Sequence, residues 1–466
     1  MKTAKQLIFG MLILLQASCS LKPPYHTPTI TVPVEYKENS LWVKATPFNK
    51  LSHNTCWWEM YQDPVLSQLQ AKLTVSNQNL KVALARYENA TALYALSRSA
   101  LYPSIIANGS ASRQKTSSTV ANASTNTRYN DRLLAANFSY EIDLWGRVRN
   151  SVMASKYRMH ASEEDVRAIA LSLRTLLITN YFSLQAADES LAALSELRVA
   201  YQKAFDLTKN RFQEGIATQA DVSQAKTQLE NVKTLYTEKK LNRTTFEHAI
   251  AVLIGEPPAL FSLAPSRQSS HFPTISPDLP ASLLQRRPDI MSAEKAVMAA
   301  NADIGVAKSA FFPNINLIGE AGFESASIAN LFSMPSLIWS LGPTVMQTIF
   351  DGGNILARVK LATATYHETV AHYRQTVLDA FREVEDNLAA QNLLKEESQS
   401  QDAALYAAND ALKQAFYRYE GGVVTYLDIV VSQNIALQAK LAAIDIHSRR
   451  QIASVQLIKA LGGPWE

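Results

Sequence analysis

Two stretches of this chain, residues 104–256 and 344–463, contain no proline, and their glycines fall at matching places. The first holds Gly109, Gly146, Gly215 and Gly255; the second holds Gly352, Gly353, Gly421, Gly422, Gly462 and Gly463. Between these stops, residues 147–214 and 354–420 run without a single helix breaker. At ~1.5 Å rise per residue, either segment would make one α-helix of roughly 100 Å. Globular helices average only about 11–12 residues. Two giant helices, each returning after a glycine tip, predict a long object: a tube, a stalk or a coiled coil.

The chain is also a duplication, at a spacing near 207 residues. Ser99-Ala100-Leu101-Tyr102-Pro103 recurs as Ser309-Ala310-Phe311-Phe312-Pro313. The run from Arg211 to Val222, through Gly215 and Asp221, recurs from Arg418 to Ile429, through Gly421, Gly422 and Asp428. Val252-Leu253-Ile254-Gly255 recurs as Ala460-Leu461-Gly462-Gly463. Between the copies, residues 256–282 carry six prolines, as expected of a linker leaving a helical body. Each copy reads as a helix (63–100 and 288–311), two extended segments around a polar loop, the giant helix, a glycine tip, and a returning helix (219–254 and 426–461).

The extended segments alternate. From Leu134 to Trp145, Leu134, Ala136, Phe138, Tyr140, Ile142 and Leu144 interleave with Ala135, Asn137, Ser139, Glu141 and Asp143. Period two predicts a strand with one apolar and one polar face, and its length suits a tilted bilayer-spanning strand of ~9–11 residues. Residues 313–323 repeat the pattern, with Ile315, Leu317 and Phe323 against Asn314, Asn316 and Glu320. The last segment, near 337–350, is mixed. The polar face suits a water-filled lumen, or bulk water if the strand packs on a soluble core.

Lys2 and Lys5, the apolar run Leu7 to Leu15, and Gln16-Ala17-Ser18-Cys19 form a secretory signal. Cysteine directly after Ala-Ser resembles a bacterial lipoprotein cleavage site, with acylation at Cys19. Cys56 is then the remaining cysteine, so no intrachain disulfide is available to the mature chain, and it reads as a small packed residue. A net charge of +4 without basic blocks argues against nucleic acid as a partner. No later segment offers 18 uninterrupted apolar residues, so no transmembrane helix is expected. The eight histidines are scattered, and none of the HExxH, GxSxG or P-loop patterns is present. Neither catalytic nor metal-binding residues are assigned.

Four membrane strands cannot close a barrel alone. Open sheet edges in lipid cost several kcal/mol per unpaired group, and single-chain bacterial barrels begin at about 8 strands. Two chains would supply 8 strands and three would supply 12. The helices raise the same demand, since Leu171, Leu173, Leu176, Leu177, Phe182 and Leu184 require a partner surface.

Together these motifs resemble a known family. They include Cys19-Ser20-Leu21 with Pro23, Pro24 and Tyr25; Trp57-Trp58; Asp63-Pro64; Asp143-Leu144-Trp145-Gly146-Arg147; Leu279-Pro280; and Arg286-Arg287-Pro288-Asp289-Ile290. Further on come Ala310-Phe311-Phe312-Pro313, Ile349-Phe350-Asp351-Gly352-Gly353 and Ala380-Phe381-Arg382-Glu383-Val384-Glu385-Asp386. The chain resembles the TolC-like outer-membrane factors of tripartite efflux systems, most closely their OprM-like and NodT-like lipoprotein branch. The resemblance implies a mainly α-helical fold with four strands per chain: a homotrimer with a shared 12-stranded transmembrane β-barrel and a 12-helix periplasmic α-barrel. It implies a signal at 1–18, an anchor and equatorial segment at 19–62, a first repeat at 63–255, an equatorial linker at 256–282 and a second repeat at 283–466. Implied partners are a periplasmic adaptor, an inner-membrane pump of the resistance-nodulation-division type and outer-membrane lipid. No cofactor is implied beyond lipid on Cys19. The chain would conduct drugs or other small molecules passively from an outer-membrane anchorage; the alternatives are a duct for type I protein secretion and a non-conducting periplasmic scaffold or adaptor.

In the family, the periplasmic end closes through a network near the glycine tips. By motif, Asp221 and Asp428 occupy acidic gate positions, and Tyr419 matches a tyrosine that bonds the aspartate of the first tip in the best-known channel. Gly215, Gly421 and Gly422 are the tip glycines. Val424, Ala220 and Val431 depart from the pattern, standing where arginine, threonine and a second aspartate occur. The residues alone also read differently: Thr218-x-x-Asp221 and Thr425-x-x-Asp428 are capping boxes after a glycine stop, with Asp as a short stand-in for Glu. Both roles remain open at this point.

Overall fold

The computed structural model describes residues 20–33, 36–38, 56–115, 117, 128–266, 273 and 283–463. The signal segment, Cys19 and most of the proline-rich linker lie outside these residues. Helices α1 (Pro64–Ser76) and α2 (Gln78–Ser99) lead into strands β1 (Ser104–Lys115) and β2 (Arg128–Glu141). The first giant helix, α3 (Arg147–Gln213), is followed by α4 (Gln219–Leu253). The second copy repeats the order with α5 (Pro288–Ser309), β3 (Asn314–Ser325), β4 (Leu337–Met346), α6 (Asn354–Glu420) and α7 (Tyr426–Ala460). Both giant helices are 67 residues long, as the glycine stops predict.

Two expectations are corrected. The segment 63–100 is not one helix. Asn77 adopts an extended backbone, its Oδ1 accepts the Leu80 N–H at 2.9 Å, and its Nδ2 donates to the Leu253 carbonyl at 2.7 Å. Buried Asn77 thus caps a new helix and ties it to the end of α4, which outweighs continuing the old one. Strand β2 also starts earlier and ends sooner than the alternation implies. After Glu141 the chain turns, and the Asp143 carboxylate accepts the N–H groups of Val148 and Arg149 at the start of α3. Asp351 does the same for α6, accepting from Gly353 and Ile355.

The chain divides into two compact units. The first contains residues up to Thr29, 86–163 and 292–374; the second contains 30–85, 164–291 and 375–466. The second unit is built on an apolar cluster in which Trp57, Trp58, Tyr61, Leu66 and Leu73 pack on Leu177, Ile178, Phe182, Val455 and Ile458. Each fully buried side chain of this kind contributes roughly 1.5–3 kcal/mol. Leu173, Leu177, Phe182 and Leu184 are buried as expected, whereas Leu176 stays 48% exposed. Cys56 packs partly buried against the cluster. Arg287 is buried and joins Asp289 and Glu383 while donating to the Ala460 carbonyl, so it staples the start of α5 to α6 and α7. Helix α7 is long and apolar enough to cross a membrane by length and composition, but Val455, Leu457 and Ile458 pack it into this core.

Candidate functional site

The first unit holds one antiparallel sheet in the order β1-β2-β3-β4. Side chains of paired residues share a face, so the register assigns every residue of the sheet to one of two faces. Phe138 stands between Ile105 and Gly319, Leu134 between Gly109 and Phe323, and Tyr140 beside Leu317. Beyond β3, the same face continues through Leu337, Trp339, Leu341, Pro343 and Val345. From the helix end of the sheet up to Leu134 this face is apolar across all four strands and largely bare: Ile105 is 72% exposed and Trp339 is 74% exposed. The opposite face carries Ser104, Asn108, Asn137, Glu320, Ser340 and Thr344, with Asn137 donating to Asn108 across the strands. In β4 every second residue from Leu337 to Val345 is apolar, while the other face is mixed, with Ile338 and Met346 beside Ser340 and Thr344.

At the foot of the strands, Trp145 stacks on Phe312 with centroids 4.7 Å apart and donates its indole N–H to the Pro313 carbonyl. Arg147 pairs with Glu141 there. These contacts join the end of β2 to the start of β3, so the duplicated Pro103 and Pro313 junctions mark where helix gives way to strand.

The second unit holds both hairpin tips. Gly215 lies at φ +76° and Gly422 at φ +72°, the left-handed conformation that ends a helix in a Schellman turn. The Gly215 N–H bonds to the Phe212 carbonyl and the Ile216 N–H to Arg211; Gly422 and Val423 repeat this with Tyr419 and Arg418. Gly421 does not share the left-handed conformation, and a Cβ there would make only ordinary contacts at 3.5–3.8 Å. Both glycines sit at the second tip, and Gly422 is the one in the left-handed conformation.

Both capping boxes are present. Asp221 Oδ2 accepts the Thr218 N–H at 2.9 Å and its hydroxyl at 2.7 Å, and Asp428 Oδ2 accepts the same groups of Thr425 at 3.0 and 2.9 Å. The threonine side chains, then their backbone N–H groups, hold both carboxyls below the usual carboxylate range. Asp428 is exposed and Asp221 is half-buried. Tyr419 does not meet Asp221. Its phenolic oxygen accepts from Arg211 on α3, and its ring lies edge-on to Tyr426 at 6.1 Å. The sequence reading did not single out Arg211 as a partner.

Among the described residues there is no cluster of His, Cys, Asp and Glu that could hold a metal. A profile of the family described as outer membrane efflux protein matches residues 69–256 and 279–463. The chain is 33% identical over 466 residues to outer membrane protein OprJ of Pseudomonas aeruginosa, covering 98% of this chain and 96% of that protein. It is 30% identical over 468 residues to the probable efflux pump outer membrane protein TtgC of Pseudomonas putida, covering 99% and 96%. The crystal structure of the Campylobacter jejuni CmeC outer membrane channel superposes with a TM-score of 0.88 at 28% identity, covering 96% of this chain and 95% of that one. A two-faced strand sheet, duplicated giant helices and end-to-end similarity to such channels converge: the chain belongs to the outer membrane efflux proteins, the exit ducts of efflux pumps, anchored in the outer membrane with their body in the periplasm.

Proposed function

We propose that three copies of this chain close their sheets into one 12-stranded barrel and form a passive duct for small molecules. An inner-membrane pump of the resistance-nodulation-division type, with a periplasmic adaptor, delivers the substrate, and this chain carries out no chemistry. Lipid on Cys19 adds a second membrane attachment. The observation that carries the reading is the sheet: apolar on one face, polar on the other, with β1 and β4 each paired on one side. Such edges are not tolerated in lipid unless another chain closes them. A polar face turned inward then lines a wet lumen.

At the tips, six carboxylates from Asp221 and Asp428 of three chains form an acidic mouth, with the capping bonds made through Oδ2 of each. Rings of this kind favour cations. The test is single-channel conductance of the purified, lipidated protein in a planar bilayer, beside Asp428→Asn. Discrete cation-preferring openings that lose their preference in the variant support both duct and mouth. Openings with unchanged selectivity leave Asp428 as a cap alone, and silence from both proteins together with a monomeric mass overturns the duct.

A further inference from the structure

The charges of the sheet are sorted by face. Asp131, Glu141, Glu320 and Glu324 all stand on the polar face. Arg113, Lys115, Arg128 and Arg132 all stand on the apolar face, in register with Asn130, Arg128, Lys115 and Ala111. They gather at the ends of β1 and β2 away from the helices. Arg132 lies two residues beyond Leu134, or ~7 Å along an antiparallel strand, and Arg128 lies ~20 Å beyond it. The cations therefore begin where the apolar band stops.

No acidic side chain of the sheet shares their face. Lys115 sits directly opposite Arg128, a like-charge pair that destabilises a sheet unless an anion intervenes. The strand-linking segments 116–127 and 326–336 contain no Asp or Glu. The ion pairs of Glu141 with Arg147 and Asp143 with Arg149 lie at the other end of the strands. A second copy added at the β1 edge would bring β4, whose apolar face carries no charge at all. Arg113, Lys115 and Arg128 are exposed, and Arg132 donates to the Ala326 carbonyl without losing its charge.

We propose that this patch binds the phosphate groups of lipid headgroups in the outer leaflet of the outer membrane. The direction follows from the fold: the helices join the opposite strand ends, and the helical body is periplasmic, so these ends reach the outer leaflet. Guanidinium groups match phosphate oxygens in pairs of parallel hydrogen bonds, and basic side chains bordering an apolar membrane face hold anionic headgroups. The patch rests on the membrane-strand reading and adds to it a lipid class: a phosphorylated glycolipid such as lipid A.

The test uses the full-length lipidated protein and titrates it with nanodiscs of neutral phospholipid doped with lipid A, with dephosphorylated lipid A, or with phosphatidylglycerol. Wild type is expected to prefer lipid A over its dephosphorylated form by at least about tenfold, with the preference shrinking in high salt. The variant Arg113→Gln/Lys115→Gln/Arg128→Gln is expected to lose that preference while still inserting. Insertion of wild type without preference for phosphate overturns the proposal and leaves the membrane strands intact. Equal affinity for phosphatidylglycerol overturns the outer-leaflet assignment. No insertion into any disc overturns the membrane reading itself. The wild-type comparison of the lipids decides the matter even where the variant fails to assemble.

Discussion

The guanidinium of Arg211, in the last turn of α3, donates to the phenolic oxygen of Tyr419 in the last turn of α6, and its Cζ lies 5.8 Å from the ring centroid. One side chain of the first repeat thus ties the ends of both giant helices, using a hydrogen bond and a cation–π contact. Tyr419→Phe keeps the ring and loses the acceptor; Arg211→Ala loses both contacts. Both residues are partly exposed, so the expected loss is about 0.5–1.5 kcal/mol for the first variant and more for the second. Amide hydrogen exchange near residues 211–218 and 418–425 reads the change, and channel openings in a bilayer should become more frequent in the same order. Unchanged exchange in both variants would mean that the contact holds nothing.

The capped aspartates set a pH window. Their folded values lie below the unfolded value of about 3.9, because the threonines favour the carboxylate. Their contribution to tip stability is therefore complete above that unfolded value and is lost as pH falls through the folded value. Tip protection in hydrogen exchange, corrected for intrinsic rates, should stay flat from pH 8 to pH 5 and fall only in stronger acid. Thr218→Ala should raise the Asp221 carboxyl toward its ordinary value, visible in a carboxyl NMR titration. A midpoint already at the ordinary value in wild type would contradict the capping geometry.

The two adjacent glycines of the second tip make a sharper comparison. Gly422 needs its positive φ, so Gly422→Ala is expected to cost about 1–2 kcal/mol of local stability. Gly421 has ordinary backbone geometry and room for a methyl group, and Gly421→Ala should be neutral or stabilise the last turn of α6 by up to about 1 kcal/mol. Local opening free energies from hydrogen exchange should move in opposite directions. Equal destabilisation by both would show that the turn uses Gly421 as well.

Much of this architecture was legible because helix breakers are so rare in the chain. Gly146, Gly215, Gly352 and Gly422 bracket α3 and α6, and the Thr-x-x-Asp boxes start α4 and α7. The interruption at Asn77 escaped notice because no glycine or proline marks it. Its cause is a long-range bond to the Leu253 carbonyl, which local spacing does not encode. The faces of β4 are blurred in the sequence by Ile338, Gly342 and Pro343, yet Leu337, Trp339, Leu341 and Val345 keep period two around them. The partner of Tyr419 was missed for the same reason as Asn77: Arg211 lies 208 residues away, inside a motif that reads as an ordinary helix end.

Inside the sheet, Gly322 and Gly342 look interchangeable in sequence but stand in opposite environments. Gly322 is in register with Ala135, and a Cβ on it would lie 2.5 Å from the Ala135 Cα and closer still to the Leu134 carbonyl oxygen. Those obstacles are backbone atoms of β2, which cannot swing aside as a side chain can. Gly322→Ala must therefore push β2 and β3 apart where their ladder is continuous, at a cost of about 1–3 kcal/mol. A Cβ on Gly342 meets nothing within 4 Å. Gly342→Ala should leave the strand undisturbed or stiffen it by up to about 1 kcal/mol. The measurement is the heat needed to dissociate the purified oligomer on a gel, together with the yield of oligomer in the membrane. Gly322→Ala should lower both, and Gly342→Ala should lower neither. If both variants behaved like wild type, β2 and β3 could not approach as closely as the register of Ala135 and Gly322 requires.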